Sequence, residues 1–247
     1  LRGVLAPVLT PFHADLSPDG RRLSRYCRWL LAHGCAALAP FGTTSEANSL
    51  SVEERESLLD AIIDDGVPPD RLLPGTGACS LTDAVRLTAK AVRRGCAGAL
   101  MLPPFYYKAV SDDGFFRFFA EVIERVGDAR LRVYLYHFPP VAHVGFSTTL
   151  VERLLRAYPR IVAGMKDSSG DLAHTKTMLD AFAGAGFDVF VGSERFLLGG
   201  MRAGAAGCIS ASANANAGAI DRLFRAWSSP EAERLQAEVD AVRGVVE

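Results

Sequence analysis

The sequence predicts an α/β protein of the (β/α)8 TIM-barrel type, and three observations lead to this fold class. Short apolar runs alternate with longer amphipathic segments, which is the order of strands and helices around a parallel sheet. Eight such units follow one another at spacings of roughly 25 to 35 residues in a chain of 247 residues, and this size is typical of a closed barrel. The first strand is not followed by a glycine-rich dinucleotide fingerprint, which argues against an open doubly wound sheet.

Eight apolar runs are predicted to form the strands, because each is short and ends in turn-forming or polar residues. In chain order they are GVLAPVLTPF, CAALAPFG, RLLPGTG, AGALMLPP, LRVYLYHF, IVAGMK, FDVFVG and AAGCISA.

The segments between these runs have the periodicity of helices. Ser51 is predicted to cap one of them, and Glu54, three residues later, completes a capping box. A ninth helix is predicted to begin near Glu231, and the sequence stops inside it or just after it. The barrel is therefore assigned to residues 1–227, and residues 228–247 to the start of a C-terminal helical extension that is expected to be incomplete. The predicted barrel helices cover about 21–33, 51–63, 81–94, 112–126, 148–157, 172–182, 195–202 and 217–227.

Composition and charge argue against several classes of function. A formal net charge of -1 with interspersed signs gives no basic surface for nucleic acid or an anionic membrane. No apolar stretch reaches the roughly 18 residues of a membrane span, and the N-terminal segment reads as a strand and a turn, not as a signal peptide. The five cysteines are scattered without metal-ligand spacing, so we expect buried thiols, no metal site and a reducing, cytoplasmic location.

Polar side chains collect at the ends of four predicted strands, in FGTTSE, PPFYYK, YLYHFP and GMKDSS. The carboxyl ends of barrel strands form the rim on which functional groups lie. Alternation of side chains turns Lys166 and Tyr136 into the barrel mouth, and adjacent strands about 4.8 Å apart allow them to meet. The same alternation predicts Gly164 and Val162 inside the barrel and Ala163 facing the helices.

Lys166 is either a solvated strand end or a nucleophile held in a pocket. Desolvation would leave more of its free amine, and a phenol beside it can relay protons, which is what Schiff-base formation with a ketone requires. Two adjacent hydroxyls, Thr43 and Thr44, with nearby backbone N–H groups suit the carboxylate of a 2-oxo acid, although such residues also cap ordinary loops. The convergence of these threonines, Tyr107 and Tyr136 on one rim favours the nucleophile.

Four ordered motifs resemble those of the pyruvate-dependent class I lyases, the family of dihydrodipicolinate synthase, N-acetylneuraminate lyase and 2-keto-3-deoxygluconate aldolase. GTTSE corresponds to the family's GTTGE, PPFYYK to its PYY segment, LYHFP to its LYNxP and GMKDSSGD to its G-x-K-[ED]-x-[ST]-G-[DN]. The resemblance extends from Gly3 to about Trp227. It implies an aldolase or lyase that joins pyruvate or another 2-oxo acid to an aldehyde, without a metal or organic cofactor, in a homo-oligomer, either a dimer or a homotetramer.

The resemblance also implies a role for each matching residue. Lys166 would form the imine with pyruvate, and Tyr136 would shuttle protons to and from the intermediates. Thr43 would connect Tyr136 with Tyr107, which would reach in from a neighbouring subunit. Thr44 would bind the substrate carboxylate through its hydroxyl and backbone N–H. The backbone around Ile209 and Ser210 would line the floor of the pocket.

Departures from the family pattern concern mainly the acceptor. Val141 stands where dihydrodipicolinate synthases have an arginine that binds the second substrate's carboxylate, and a buried carboxylate without a charged partner is costly. Aspartate semialdehyde is therefore not the expected aldehyde, and the loop favours a neutral or apolar one. His143 replaces a usual glycine and would either face the acceptor or have no role. Ser45 replaces the glycine of the family's GTTGE motif, and Asp167 replaces the glutamate that commonly follows the lysine; both changes are expected to be tolerated. His137 is expected to have a structural role.

Two other functions stay open. A Schiff-base dehydratase of a keto-deoxy sugar acid would release water without breaking a carbon–carbon bond, so free pyruvate as product would separate it from an aldolase. A catalytically silent barrel that binds a sugar acid belongs to another class. Such a protein would be expected to have lost at least one of Lys166, Tyr136, Thr43 and Thr44.

Overall fold

The computed structural model describes residues 1–246, and its strands form one parallel sheet. The order of the strands is β2-β1-β7-β6-β5-β4-β3 when they are numbered along the chain. Their bounds are β1 (Gly3–Ala6), β2 (Ala37–Leu38), β3 (Ala99–Met101), β4 (Val133–His137), β5 (Val162–Asp167), β6 (Asp188–Val191) and β7 (Gly207–Ile209).

The segment RLLPGTG closes the sheet between β2 and β3. The N–H of Leu73 donates to the carbonyl of Leu38 at 2.8 Å, and the N–H of Thr76 donates to the carbonyl of Leu100 at 2.9 Å. Pro74 has no N–H to continue a ladder, so this predicted strand is present only as isolated parallel bridges. This segment, third in chain order, completes the set of eight around the barrel. The predicted (β/α)8 barrel is therefore confirmed.

Helices cover the outside of the barrel, close to the predicted positions. The capping box is present: the Ser51 hydroxyl accepts from the Glu54 N–H at 3.1 Å, and the Glu54 carboxylate accepts from the Ser51 N–H at 2.8 Å. The α-helices that the structure describes are α1 (Gly20–Ala32), α2 (Val52–Asp64), α3 (Leu81–Arg93), α4 (Asp112–Val126), α5 (Pro139–Ala142), α6 (Thr148–Ala157), α7 (Leu172–Phe182), α8 (Leu197–Arg202), α9 (Ala213–Ala226) and α10 (Ala232–Val246).

Two helices differ from the prediction. Helix α5 is a single turn that the sequence patterns missed, because its first two residues are prolines, which are tolerated only in a first turn. Helix α9 begins four residues earlier than predicted and contains a break at Asn216, where φ is -130°. The apolar residues of its first turn therefore do not continue the helical periodicity of the residues after Asn216, and the sequence pattern missed this turn.

Side chains of the sheet separate into a barrel interior and a layer under the helices. Tyr134 belongs to the interior cluster and Leu135 to the outer layer, as alternation predicts. Between β4 and β5 the register shifts, so that Val133 pairs with Val162 but Tyr134 pairs with Gly164. Val162 therefore packs in the outer layer and Ala163 against the interior, and the predicted facing of these two residues was wrong.

Helix α10 lies against the carboxyl-terminal side of the barrel. Gln236 donates to the carbonyl of Glu194 at 3.1 Å and accepts from the N–H of Leu198 at 3.1 Å, which ties the helix to the loop after β6. The boundary between residues 227 and 228 and the incomplete state of the extension stay predictions. Among the described helices, none combines the length and the apolar character that a membrane crossing requires.

Candidate active site

Lys166 and Tyr136 form the centre of the site, because the pairing of β4 and β5 puts them opposite each other. The Lys166 ammonium donates to the Tyr136 hydroxyl at 3.2 Å, and Nζ lies 4.3 Å from the centroid of the phenol ring. Lys166 is 5% exposed and Tyr136 is 4% exposed. The predicted meeting of these two side chains is confirmed, and a solvated strand end is not what the structure contains.

Tyr134 fills the barrel beneath the lysine. A Cβ at Gly164 would clash with the backbone carbonyl of Asp188 and would lie 2.8 Å from the Tyr134 ring, so only glycine fits between them. The Tyr134 hydroxyl donates to the Asp188 carboxylate at 3.2 Å, and burial, followed by that carboxylate, raises the pKa of Tyr134. The space around Lys166 is therefore closed from below.

A cavity of about 420 Å³ opens above the lysine and brings several predicted residues together. Thr43 and Thr44 line it together with Lys166 and Tyr136. A second cavity of about 120 Å³ shares Thr43 and Tyr136 with the first. The larger volume is that of a site for a small organic molecule.

The turn that carries the two threonines is held from beneath. Residues at both of its ends, Phe41 and Glu46, have positive φ values of 64° and 56°. The hydroxyl of Thr10 donates to the carbonyl of buried Ser45 at 2.7 Å. This bond fixes the turn so that Thr43 is exposed and Thr44 half-buried at the rim.

Five other predicted residues are absent from the described lining of the cavity above Lys166. Tyr107 is 62% exposed and touches Tyr106 edge-on, with ring centroids 5.3 Å apart. Ile209 is fully buried in the barrel interior, and the Ser210 hydroxyl donates to the Glu194 carboxylate.

Val141 and His143 lie on and after the short helix α5, away from the cavity lining. Val141 is 52% exposed, and His143 is exposed as well. The φ of His143 is 54°, in the left-handed region that favours glycine, and this agrees with the glycine that the family resemblance implies at this position. Among the described residues that line the cavity above Lys166, neither is present.

Asp167 turns its carboxylate away from the cavity, and this contact network was missed from the sequence. The carboxylate accepts from the Ser169 N–H at 2.9 Å, from the Thr175 hydroxyl at 2.7 Å and from His174 Nδ1 at 2.9 Å. Burial raises the pKa of this carboxyl, but the hydrogen bonds, led by that of His174, outweigh burial and lower it. The same hydrogen bond raises the pKa of His174.

His137 stacks on His174 with ring centroids 4.2 Å apart and planes 10° from parallel. Its Nδ1 accepts from the N–H of Phe146 at 3.0 Å. Burial, followed by His174, lowers the pKa of His137 to about 4. Ligand atoms of His137, Asp167 and His174 lie within 4.8 Å of one another, but the in-plane lone pairs of stacked rings do not converge. The arrangement of the three side chains therefore suits a structural contact that supports β4 and β5 better than a metal site. This agrees with the structural role expected for His137.

Glu194 organises the other side of the cavity and was also missed. It is 1% exposed, and the hydroxyls of Ser210 and Ser212 donate to its carboxylate. Arg243 of helix α10 forms an ion pair with it at 3.2 Å. The turn after β6 was not singled out from the sequence, and no local pattern connects Arg243 to it.

A closed (β/α)8 barrel with a buried lysine, a phenol and two threonines at the carboxyl ends of its strands defines the class of protein. It is a TIM-barrel protein that has its site at the rim on which such enzymes carry out their chemistry.

Comparisons with known proteins agree with this class. The model of the dihydrodipicolinate synthetase family matches residues 1–243. An uncharacterized DapA-like lyase from Chloroflexus aurantiacus is 34% identical over 247 residues, which are 99% of this chain and 81% of the relative. The chain belongs to the dihydrodipicolinate synthetase family, and it is an enzyme of this lyase family.

Solved structures show the same relationship. Dihydrodipicolinate synthase from Agrobacterium tumefaciens is 30% identical with a TM-score of 0.83, covering 98% of this chain and 99% of that one. YagE from E. coli K12, a protein of the dihydrodipicolinic acid synthase family solved in complex with pyruvate, is 27% identical with a TM-score of 0.89. That match covers 99% of this chain and 81% of YagE.

Proposed function

We propose that the protein is a pyruvate-dependent aldolase or lyase that acts through a Schiff base on Lys166. The observation that carries the proposal is the buried contact of 3.2 Å between the Lys166 ammonium and the Tyr136 hydroxyl at the base of the cavity. The pyruvate complex of YagE, a relative with the same fold, supports pyruvate as the 2-oxo acid.

The proposed reaction begins when the Lys166 amine attacks the ketone carbon of the 2-oxo acid. Loss of water gives an imine, and its protonated nitrogen accepts the electron pair when a bond at the adjacent carbon breaks. In the cleavage direction the C4 hydroxyl gives up its proton, the C3–C4 bond breaks, the aldehyde leaves and an enamine remains. Protonation at C3 and hydrolysis then release pyruvate and regenerate the amine.

Tyr136 is the group proposed to carry these protons, since its oxygen lies beside the nitrogen that forms the imine. Thr43 and Thr44 would bind the 2-oxo acid's carboxylate through hydroxyl and backbone N–H groups. The reaction needs no metal or organic cofactor, because the protonated imine itself is the electron sink. An acceptor other than aspartate semialdehyde is proposed, because Val141 replaces the arginine of dihydrodipicolinate synthases.

An oligomer in the cytoplasm completes the proposal. Tyr106 and Tyr107 lie side by side and exposed, and a second subunit of a dimer or tetramer would cover them and bring Tyr107 to a neighbouring site. The five cysteines are free thiols, and burial raises the pKa of Cys27 and Cys35 to about 12, which keeps these two in the unreactive thiol form. Such thiols suit a reducing compartment.

Borohydride trapping with pyruvate, followed by peptide mass spectrometry, tests the Schiff base. The reduced adduct is expected on the Lys166 peptide of the wild type and absent from Lys166→Ala. Lys176→Ala, which removes an exposed lysine of helix α7, is the matched control and should retain the adduct. A folded wild type without an adduct would refute the proposal and favour the dehydratase or the silent binding barrel. With the adduct established, free pyruvate from a 4-hydroxy-2-oxo acid identifies an aldolase, and loss of water alone identifies the dehydratase.

A further inference from the structure

His174 contacts the neighbours of both residues at the centre of the site. It lies in the first turn of helix α7, and its Nδ1 donates to the Asp167 carboxylate at 2.9 Å. Its ring stacks on that of His137, with the centroids 4.2 Å apart. Asp167 directly follows Lys166 in β5, and His137 directly follows Tyr136 in β4. One side chain of a helix therefore joins the two strand ends on which the proposed reaction depends.

The stacked histidines are not part of the family motifs. His174 lies three residues after the end of GMKDSSGD, and His137 occupies the asparagine position of the family's LYNxP. Among the described residues that line the cavity above Lys166, His174 is absent, and its side chain is 25% exposed. An influence of His174 on the reaction would therefore act through its two partners and not through contact with a substrate.

The central pair lies close to the end of the strand ladder. The pairing of β4 with β5 ends at His137 and Asp167, one residue beyond Tyr136 and Lys166. One further bond follows, from the Ser168 N–H to the His137 carbonyl at 2.8 Å. Because the ends of elements open more readily than their middles, side-chain contacts at this point add to what the backbone pairing provides.

Both partners of His174 are themselves held by further bonds. The Asp167 side chain is completely buried, and its carboxylate also accepts from the Thr175 hydroxyl at 2.7 Å. On the other side, His137 Nδ1 accepts from the Phe146 N–H at 3.0 Å, which requires a ring without a proton on that nitrogen. His174 thus joins two anchored groups, so a shift of its ring would be passed to both strand ends.

We propose that His174 is a positioning residue that joins the ends of β4 and β5 and thereby holds Lys166 beside Tyr136 for imine and enamine formation. This inference rests on the proposed function and adds to it a residue that touches no reacting atom. A displacement of about 1 Å between reacting groups, caused by a change far from them, can cost roughly 10²-fold in rate. A contact on the outer face of the strands can therefore set the rate inside the barrel.

Three substitutions separate the two contacts of His174. His174→Ala removes both of them. His174→Asn places an amide N–H near the position of Nδ1 and removes the ring, whereas His174→Phe keeps a ring and removes the donor. Exchange of the methyl protons of pyruvate for deuterium, followed by NMR, measures enamine formation. We expect kcat for this exchange to fall by roughly 10- to 100-fold in His174→Ala, with KM for pyruvate nearly unchanged. At least one of the other two variants should recover part of the rate.

Phe182→Ala is the matched control, because it weakens the same helix without touching the strand ends. Phe182 is the last residue of helix α7, about 12 Å along the helix from His174, and it packs edge-on against Phe187 with ring centroids 5.8 Å apart. Urea unfolding should show a lower midpoint for this variant, while kcat per folded molecule stays at the wild-type value. A loss of stability alone is in this way distinguished from a loss of positioning.

Wild-type kcat in His174→Ala, or a fall no larger than that of Phe182→Ala, would overturn the inference. A higher KM for pyruvate with unchanged kcat would overturn it as well, since His174 would then affect binding and not the chemical step. If His174→Ala does not fold, His174→Asn and His174→Phe decide the outcome by the same comparison. Borohydride trapping of the wild type with pyruvate keeps the two proposals apart. A wild type without an adduct refutes the Schiff base itself, whereas an adduct together with wild-type exchange in the His174 variants refutes only this inference.

Discussion

The Lys166 nitrogen lies 3.2 Å from the Tyr136 hydroxyl oxygen and 4.3 Å from the centroid of the same ring. Both residues belong to paired strands, and backbone register holds them opposite each other. A nucleophile and a proton carrier on neighbouring strands are positioned more rigidly than groups on loops. The chemistry proposed for the site therefore depends on the pairing of β4 with β5.

Tyr136→Phe should separate proton transfer from binding, since it removes one hydroxyl and retains the ring. We expect kcat to fall by roughly 10²- to 10⁴-fold, the usual contribution of a general acid–base group, with a smaller effect on KM for pyruvate. Exchange of the methyl protons of pyruvate for deuterium, followed by NMR, measures enamine formation without an acceptor. Tyr158→Phe, at a hydroxyl that donates to Glu124, is the control. Exchange at the wild-type rate in Tyr136→Phe would exclude the proposed role.

Gly164→Ala should destabilise the barrel, because the new Cβ would clash with the backbone carbonyl of Asp188 on the neighbouring strand and would lie 2.8 Å from the Tyr134 ring. Overpacking of this kind costs roughly 1 to 3 kcal/mol of unfolding free energy. Urea unfolding measures the change. Gly184→Ala is the control, since nothing lies within 4 Å of its Cβ position. Equal unfolding midpoints for the two variants would contradict the packing described here.

The stability of the protein should depend on His137 between pH 4 and 6.5. Burial lowers the pKa of His137 to about 4, so in this range the unfolded chain takes up a proton at this residue and the folded chain does not. Its contribution is complete above pH 6.5 and is lost as the pH falls towards 4, by up to about 3 kcal/mol. His174 acts in the opposite direction, since its pKa is raised and its contribution is lost as the pH rises through that value.

His137→Asn should therefore reduce the fall in unfolding free energy between pH 7 and pH 4.5, as measured by urea unfolding at several pH values. His33→Asn removes an exposed histidine and should keep the wild-type dependence. Curves for His137→Asn that run parallel to the wild type would show that the buried ring does not control this pH range.

Arg55→Met should weaken the closure of the barrel. Arg55 is 5% exposed and donates to the carbonyl of Gly75 at 2.6 Å. Gly75 belongs to the segment RLLPGTG, which isolated bridges join to β2 and β3. Loss of this donor leaves a buried carbonyl without its charged partner, which costs roughly 1 to 3 kcal/mol of stability. Thermal unfolding measures this loss against Arg86→Met, which removes two ion pairs at the surface, with Glu53 and Glu56, and should change the midpoint little. A similar midpoint for both variants would show that Arg55 does not support the closure.

Much of the fold could be predicted because the relevant signals are local. The bounds of helix α4 and helix α6 agree with the prediction to the residue, since each is preceded by a serine cap and carries a regular apolar stripe. The meeting of Lys166 and Tyr136 followed from strand alternation and from the adjacency of consecutive strands. The facing of Val162 and Ala163 could not be predicted, because a register shift at the start of β5 leaves no mark in the alternation.

The sequence by itself determined the barrel, the family motifs and the lysine–phenol pair, because these depend on periodicity and on neighbouring strands. Only the tertiary structure decided what surrounds them. The stacking of His137 on His174 and the approach of Arg243 to the cavity join segments far apart in the chain. Such contacts arise from the packing of one helix against the barrel, and no short-range pattern encodes them. The lysine–phenol pair can thus be predicted from local patterns, whereas the wall of the cavity around it is created by the fold.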